Sequence, residues 1–377
     1  MSIELREVKN NKDLKKFVLF PYSLYKNHKY WVPPLIKGEL NSLRKDKNPA
    51  FDHCEAKYVL AYKNGKIVGR IAGIINYRFI EKWGKKNARF CWMDFIDDLE
   101  VSGALLNNIE QWAVSKGMES ITGPLGFVSS MDPRGTLYEG FNEMPTISSV
   151  YNYEYYPKHF ETHGFKKETD YVEYEVKAPS EIPEKATKIC NLIIKRYKLK
   201  KLEVKSTKEM LPYGKQVFDV LNAAFEPLFG FVPLTDKQID YFTKKYFSFV
   251  KPEYTTAVLD ENDKLVGFQI SIPSLSHAFQ KAKGKLFPFG FFHIAKAMKK
   301  PDRIDILLVG VHPEYQNKGV NSIFMTDLTQ FCIDKGIVWA ESNGELEENE
   351  KVQNFWRYYD ARLHKRTRIY FKTLAVK

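Results

Sequence analysis

Ile306-Leu307-Leu308-Val309-Gly310-Val311-His312-Pro313-Glu314-Tyr315-Gln316-Asn317-Lys318-Gly319-Val320-Asn321 reads as a strand, a proline-containing turn, a glycine loop and the first turn of a helix. A helix start leaves several backbone N–H groups unpaired, and the dipole there favours an anion. Glycine in the loop lets the backbone approach phosphate oxygens with no Cβ in the way. The stretch is therefore built to hold a pyrophosphate. Behind it, Ile323, Phe324, Leu328, Phe331 and Cys332 recur at helical spacing. A helix from Val320 to Lys335 is expected, packed on a sheet by that face and stopped by Gly336.

Outward from this segment, the chain repeats itself weakly. Thr256–Leu259 and Leu265–Ile272 read as a hairpin joined by Asp260-Glu261-Asn262-Asp263. In the first half Tyr58–Tyr62 and Ile67–Ile75 form another, turning at Asn64-Gly65, where both residues tolerate positive φ. The second strands open alike, Lys66-Ile67-Val68-Gly69 against Lys264-Leu265-Val266-Gly267. A strand and a helix then follow in each half: Arg89–Phe95 with Val101–Lys116 before Gly117, and Ile304–Val311 with Val320–Lys335 before Gly336. The second half carries an insertion between about Ser274 and Asp302, partly helical, and the first an extra segment from Pro124 to Tyr156. After the loop helix come a strand Val338–Ser342, a helix Val352–Tyr359 and a final strand Thr367–Leu374. The linker is expected at Ala178-Pro179-Ser180-Glu181-Ile182-Pro183, where two prolines interrupt the strand Tyr171–Val176.

The chain has 377 residues, 44% of them apolar, which suits two packed domains. No apolar run approaches the roughly 20 residues that span a bilayer. The N-terminus lacks a basic region followed by an apolar one, so no secretory leader is expected. Cys54, Cys91, Cys190 and Cys332 are scattered without metal-ligand spacing, which reads as reduced thiols in a cytoplasmic protein with no metal site. The net charge of +12 fits a lysine-rich solvated surface or a polyanionic partner such as nucleic acid, an anionic membrane surface or coenzyme A.

Gln316-x-x-Gly319-x-Asn321, following Val311-His312-Pro313-Glu314-Tyr315, resembles motif A of the GNAT superfamily of N-acetyltransferases. The upstream hairpin, downstream strand, helix and last strand occur in GNAT order. The resemblance implies an α/β protein of two GNAT-like domains, residues 1–178 and 184–377, each a mixed sheet flanked by helices. It implies acetyl-CoA or a longer acyl-CoA as co-substrate and an amine, small molecule or peptide, as acceptor. Val309 and Val311 would lie along the pantetheine, and Gln316, Asn317, Lys318, Gly319, Val320 and Asn321 would hold the phosphates. Asn321 stands where the family has a small residue. The first half has Asp97-Asp98-Leu99-Glu100 at the loop position, acids that would repel a pyrophosphate, so that copy is expected to be degenerate. The segment Phe225–Thr235 also resembles one in bacterial proteins with two GNAT-like halves.

Many family members use a tyrosine on the helix after the fifth strand as general acid. The aligned positions here hold Trp356 and, in the first half, Phe160, with Tyr358 and Tyr359 nearby. The remaining catalytic candidates are Tyr358 as acid and Glu341 as base, on the strand that borders the acyl site. Tyr153, Tyr155 and Tyr156, in the run Tyr151–Tyr156, together with Asp132-Pro133-Arg134-Gly135, are candidates to line an acceptor cleft between the halves. Two alternatives stay open: a Fem-like transferase taking aminoacyl-tRNA, which suits the basic charge, and a non-catalytic acyl-CoA-binding protein, which suits the missing tyrosine.

Overall fold

Residues 2–246 and 250–375 are described by a computed structural model. A short edge strand, β1 (Glu4–Glu7), borders the first hairpin, β2 (Cys54–Lys63) and β3 (Lys66–Asn76). Asn64 and Gly65 turn it with φ of 54° and 72°. β4 (Asn87–Phe95), helix Leu99–Ser115, β5 (Ser120–Gly123), β6 (Thr136–Glu139) and β7 (Lys166–Lys177) complete the first half. The second half runs β8 (Lys200–Lys201), the hairpin β9 (Thr255–Leu259) and β10 (Leu265–Pro273), β11 (Arg303–Val311), helix Val320–Lys335, β12 (Trp339–Ser342), β13 (Glu345–Leu346) and β14 (Asp360–Thr373).

All of these strands belong to one sheet in the order β1-β2-β3-β4-β5-β14-β7-β12-β11-β10-β9-β8, with β6 on β14 and β13 on β7. The order reads the same from either edge. β4 with β5 and β11 with β12 are parallel, and the other neighbours are antiparallel. The internal repeat is thus a pseudo-two-fold, and each half gives its last long strand to the other. β14 lies between β5 and β7, and β7 lies between β14 and β12. The expected boundary at 178–184 therefore divides the chain but not the sheet.

The repeated Lys-x-Val-Gly has a packing cause. A Cβ on Gly69 would stand 2.7 Å from Leu105 Cδ1, and one on Gly267 2.9 Å from Phe324 Cζ. In each half the helix that follows the fourth strand or its counterpart presses a large side chain onto that glycine. The largest core cluster is shared: Phe17, Tyr58 and Trp92 of the first half meet Leu221, Phe242 and Phe268 of the second.

Two elements depart from expectation. The helix near the C-terminus is Glu350–Trp356 rather than Val352–Tyr359, so Tyr358 and Tyr359 sit in the turn beyond it. The final strand begins at Asp360, not Thr367. Its charged first half, Asp360–Arg366, looks like a loop in sequence but faces the acids of β7: Arg362 is opposite Glu175 and Lys365 opposite Glu173, and just beyond it Arg368 is opposite Asp170.

Candidate functional site: a forked strand edge above an apolar chamber

β11 and β12 run together from Arg303/Trp339 to Ile306/Ser342 and then part. Asn343 sits in the fork. Its backbone N–H donates to Ile306 O at 3.1 Å and its Nδ2 to Leu307 O at 2.9 Å. Beyond that point β11 continues to Val311, paired only with β10. The side of Leu308–Val311 that faced β12 is left open, and Val309 is exposed. At the usual strand rise, Leu307 to Val311 spans roughly 13 Å, a length suited to an extended pantetheine arm.

The open edge leads to the glycine loop. Asn317 and Gly319 have φ of 62° and 81°, which turns successive N–H groups toward one side. Gly319 is the N-cap of helix Val320–Lys335 and no side chain caps it. Among the described residues, the N–H groups of Asn317, Gly319, Val320 and Asn321 have no hydrogen-bond acceptor. A Cβ on Gly319 would stand 2.5 Å from Ile193 Cδ1, so the helix Glu184–Arg196 closes one side of the loop. Gln316 donates from Nε2 to Val311 O at 3.1 Å, tying the loop to the strand end. Lys318 Nζ lies 4.8 Å from the Tyr315 ring centre and 5.3 Å from that of Tyr197. Asn321 is exposed and crowds nothing.

The first half has the same fork, and its own side chains fill it. β4 and β5 pair as far as Arg89/Thr122, and β4 runs on to Phe95. There the Phe95 N–H donates to Tyr156 Oη at 3.1 Å and Tyr155 Oη donates to Phe95 O at 2.5 Å. The helix start is also used up: Asp98 accepts from the Glu100 N–H at 2.9 Å and pairs with Lys63 at 2.7 Å. Asp97 holds His159 Nε2 at 2.9 Å. The acids that looked repulsive in sequence are thus the cap and anchor of a closed site.

Below the open fork lies a cavity of about 600 Å³ between the halves. Leu307, Leu308 and Asn343 bring it to the fork, and Trp92, Phe242 and Phe268 are among its largely apolar walls. Ser148 Oγ donates to Asn343 Oδ1 at 3.4 Å, so the first half's extra segment seats directly on the fork. Arg134 reaches across too, donating from Nη2 to Gly344 O at 3.1 Å. Of the tyrosine run, Tyr151 and Tyr156 line the cavity, whereas Tyr153 and Tyr155 do not. Tyr153 donates to Leu24 O instead, at 3.1 Å.

The sequence candidates for catalysis lie elsewhere. Tyr358 is 85% exposed and is not part of the cavity wall. Trp356 is buried and donates to Glu345 Oε1 at 2.9 Å. Glu341 is buried in an ion-pair network with Lys365, His364 (3.3 Å) and Arg303 (3.5 Å). Burial alone would raise its pKa, but the Lys365 ammonium and His364 outweigh that and hold the carboxyl well below the usual range. Glu173, Glu341 and His364 stand close enough together to suggest a metal site. The Lys365 ammonium already supplies the positive charge there, 2.7 Å from Glu173 and hydrogen-bonded to Glu341. Sequence reading missed Ser149, which lines the cavity and donates to Glu173 Oε1 at 2.7 Å. It thereby joins the chamber to this buried network. No sequence signal marks a lone serine in a polar loop, since its partner is 24 residues away.

All four cysteines are free and buried. No helix among the described residues is long and apolar enough to cross a membrane.

The acetyltransferase (GNAT) family model matches residues 215–359. The chain is 27% identical over 377 residues to Protein YghO of Escherichia coli (strain K12), covering 98% of this chain and 95% of that one. It is 26% identical over 380 residues to the bacterial ceramide synthase of Caulobacter vibrioides (strain NA1000 / CB15N), covering 97% and 96%. A tandem GNAT protein from the clavulanic acid biosynthesis pathway has the same fold, with a TM-score of 0.59 at 12% identity and 99% of each chain covered. Residues 215–359 therefore match the acetyltransferase (GNAT) family model, within a chain whose fold is that of a tandem GNAT protein.

Proposed function

We propose that this protein is an acyl-CoA-dependent N-acyltransferase that binds coenzyme A only in its second half and handles a long aliphatic chain. The observation that carries the reading is the continuous path from the uncapped glycine loop, along the open edge of β11, to an apolar chamber at the fork. The loop N–H groups take the pyrophosphate. The edge of Leu308–Val311 pairs with the pantetheine, and a backbone N–H on that open edge polarises the thioester carbonyl. An acetyl group would leave most of the cavity empty, and an apolar wall favours alkyl chains over water. The likeness to a bacterial ceramide synthase supports the same substrate class, because ceramide is the amide of a long acyl chain and a long-chain amino alcohol.

In the reaction the amine nitrogen attacks the thioester carbon, the C–N bond forms, and the C–S bond breaks to release coenzyme A. The ammonium proton leaves by way of Ser149 to the Glu173 side of the buried network, and the thiolate takes a proton from water in the open edge. No tyrosine serves as acid.

The test offers palmitoyl-CoA or acetyl-CoA with a long-chain 2-amino alcohol and follows free thiol and amide. Amide from palmitoyl-CoA, little from acetyl-CoA, and a Ser149→Ala rate lowered by about 10²-fold with unchanged KM for acyl-CoA would support the reading. Gly319→Glu adds bulk and negative charge to the loop and should abolish CoA binding in calorimetry while the protein stays folded. Transfer from acetyl-CoA alone, or CoA binding that survives Gly319→Glu, would overturn it.

A further inference from the structure

We infer that the insertion between β10 and β11 docks this protein on an anionic lipid surface beside the mouth of the apolar chamber. The insertion folds as two short helices, Ser276–Ala282 and Gly290–Lys299. In the first half the equivalent connection between β3 and β4 holds one short helix, Tyr77–Trp83. The fold therefore does not require the extra pair.

Its inner face is anchored. Ala278, Phe279, Ala282 and Ile294 are buried against Ile272 and Leu275. Gln280 Nε2 donates to Lys29 O at 2.9 Å and Trp31 O at 3.1 Å, and Ser276 Oγ donates to Pro145 O at 2.8 Å. Phe279 also faces the chamber, alongside Trp31, Val32 and Leu35 of the first half. The element is thus part of the chamber's rim, held by both halves.

Its outer face is apolar and uncovered. Leu286, Phe287, Phe289, Phe291 and Phe292 are all exposed, with Phe287 at 72% and Phe289 at 69%. Contiguous aromatic exposure of this kind marks an interaction surface. Around it stand Lys281, Lys283, Lys285, Lys296, Lys299 and Lys300, every one exposed. From Ser276 to Lys300 there is no Asp or Glu. Among the described residues none of the six lysines is within ion-pair distance of a carboxylate, as the ion pairs lie elsewhere.

Charge selects the occupant. A second copy of this face would bring its own six lysines against these and be repelled. A bilayer carrying anionic headgroups meets both requirements at once: phenylalanines enter the acyl boundary while lysines pair with the headgroups around them. Placement at the rim gives the docking a purpose if the chamber takes long chains, since such chains reside in bilayers. That purpose rests on the function proposed above, whereas the docking rests on the patch itself.

The test is flotation of the purified full chain with vesicles of phosphatidylcholine alone and of phosphatidylcholine mixed equally with phosphatidylglycerol, without any turnover assay. The chain should float with the mixed vesicles and remain behind with the neutral ones. Phe287→Ser with Phe289→Ser should abolish flotation. Lys296→Ala with Lys299→Ala and Lys300→Ala should weaken it on the order of a hundredfold. Both variants should keep the parent's CoA affinity and thermal unfolding, because the altered side chains are on the outer face. Failure to float with mixed vesicles, equal flotation with neutral ones, variants that float like the parent, or a parent dimer that the phenylalanine variant splits would each overturn the inference. Loss of CoA binding in the parent would instead count against the proposed function.

Discussion

Asp305 shows how one side chain can set the pH response of a buried network. It lies on β11 directly opposite Glu341 on β12, is 1% exposed, and neither carboxyl oxygen has a hydrogen-bond partner among the described residues. Burial, with the neighbouring Glu341 charge, pushes its pKa up to about 8. A carboxyl whose pKa rises on folding contributes stability that is complete below the ordinary carboxylate range and is lost as pH rises toward 8. Glu341 has the opposite sign: its pKa is depressed by Lys365 and His364, so its contribution holds above that range and is lost as pH falls. Asp305→Asn removes the first dependence. Denaturant titrations should find the variant and parent similar in mild acid. The variant should be more stable by on the order of a few kcal/mol at about pH 9, because an amide cannot ionise. A constant gap across pH would show that Asp305 does not titrate in this range. In sequence the residue was invisible, one polar letter in the apolar run Ile304–Val311.

At the scale of elements, the seam between β7 and β14 is a ladder of opposite charges. Arg362 meets Glu175 at 2.6 Å, Lys365 meets Glu173 at 2.7 Å, and Arg368 meets Asp170 at 2.9 Å. Asp170 is 1% exposed and also receives Arg366 at 3.3 Å and Lys167 at 3.3 Å. Asp170→Ala leaves these cations facing one another in a partly dry seam. It should cost about 3 kcal/mol in a urea titration, whereas an exposed pair such as Lys188–Glu184 should cost under about 1 kcal/mol. Burial works to raise the pKa of Asp170 and Glu175, yet their arginine partners win and both are lowered. The seam should therefore weaken as pH drops below the ordinary carboxylate range. This ladder also explains which elements the sequence disclosed. The two hairpins, the glycine-bounded helix Val320–Lys335 and the strand before it were legible because their signals are local: alternation, Asn-Gly, and glycine at both helix ends. The first half of β14 was not. Its Asp360-Ala361-Arg362-Leu363-His364-Lys365-Arg366 carries charges that a strand face exposes only when another strand supplies the counter-charges. Those lie nearly 190 residues away, as with Glu175 for Arg362 (|i−j| of 187). The glycine loop was likewise readable, while Ser149, Arg134 and the fork at Asn343 come together only through long-range pairing.

At the scale of the whole molecule, the halves are not separable, although the chain between them is an ordinary exposed linker. Three features bind them. β14 of the second half pairs with β5 and β7 of the first, and β7 pairs with β12. The largest core cluster draws on both halves. The segment Glu226–Pro233 is fixed to the first half by backbone carbonyls: Glu226 O accepts from Lys82, Gly230 O from Arg89, Phe231 O from Trp83 and Pro233 O from Arg78, at 2.6 to 3.1 Å. Arg89 itself is 1% exposed; Nη1 keeps Gly126 O at 3.1 Å, but losing Gly230 would leave the buried Nη2 without its acceptor. Residues 184–377 alone would leave β12 without its β7 neighbour and all of β14 without β5 or β7. The chamber and the apolar side of Leu221, Phe242 and Phe268 would open to water. Against a net stability of roughly 5–15 kcal/mol for a folded domain, those losses exceed what remains. The fragment is accordingly expected to be unfolded or aggregated, even though it contains the whole glycine loop. The decisive comparison places a protease site between Ser180 and Pro183 of the full chain. After cleavage the two pieces should elute together, unfold in one transition and retain CoA affinity. Once parted in denaturant, the second piece should regain neither a cooperative transition nor CoA binding unless the first is returned to it. A cooperative transition from residues 184–377 expressed alone would show that the exchanged strands decorate two independent domains rather than complete them.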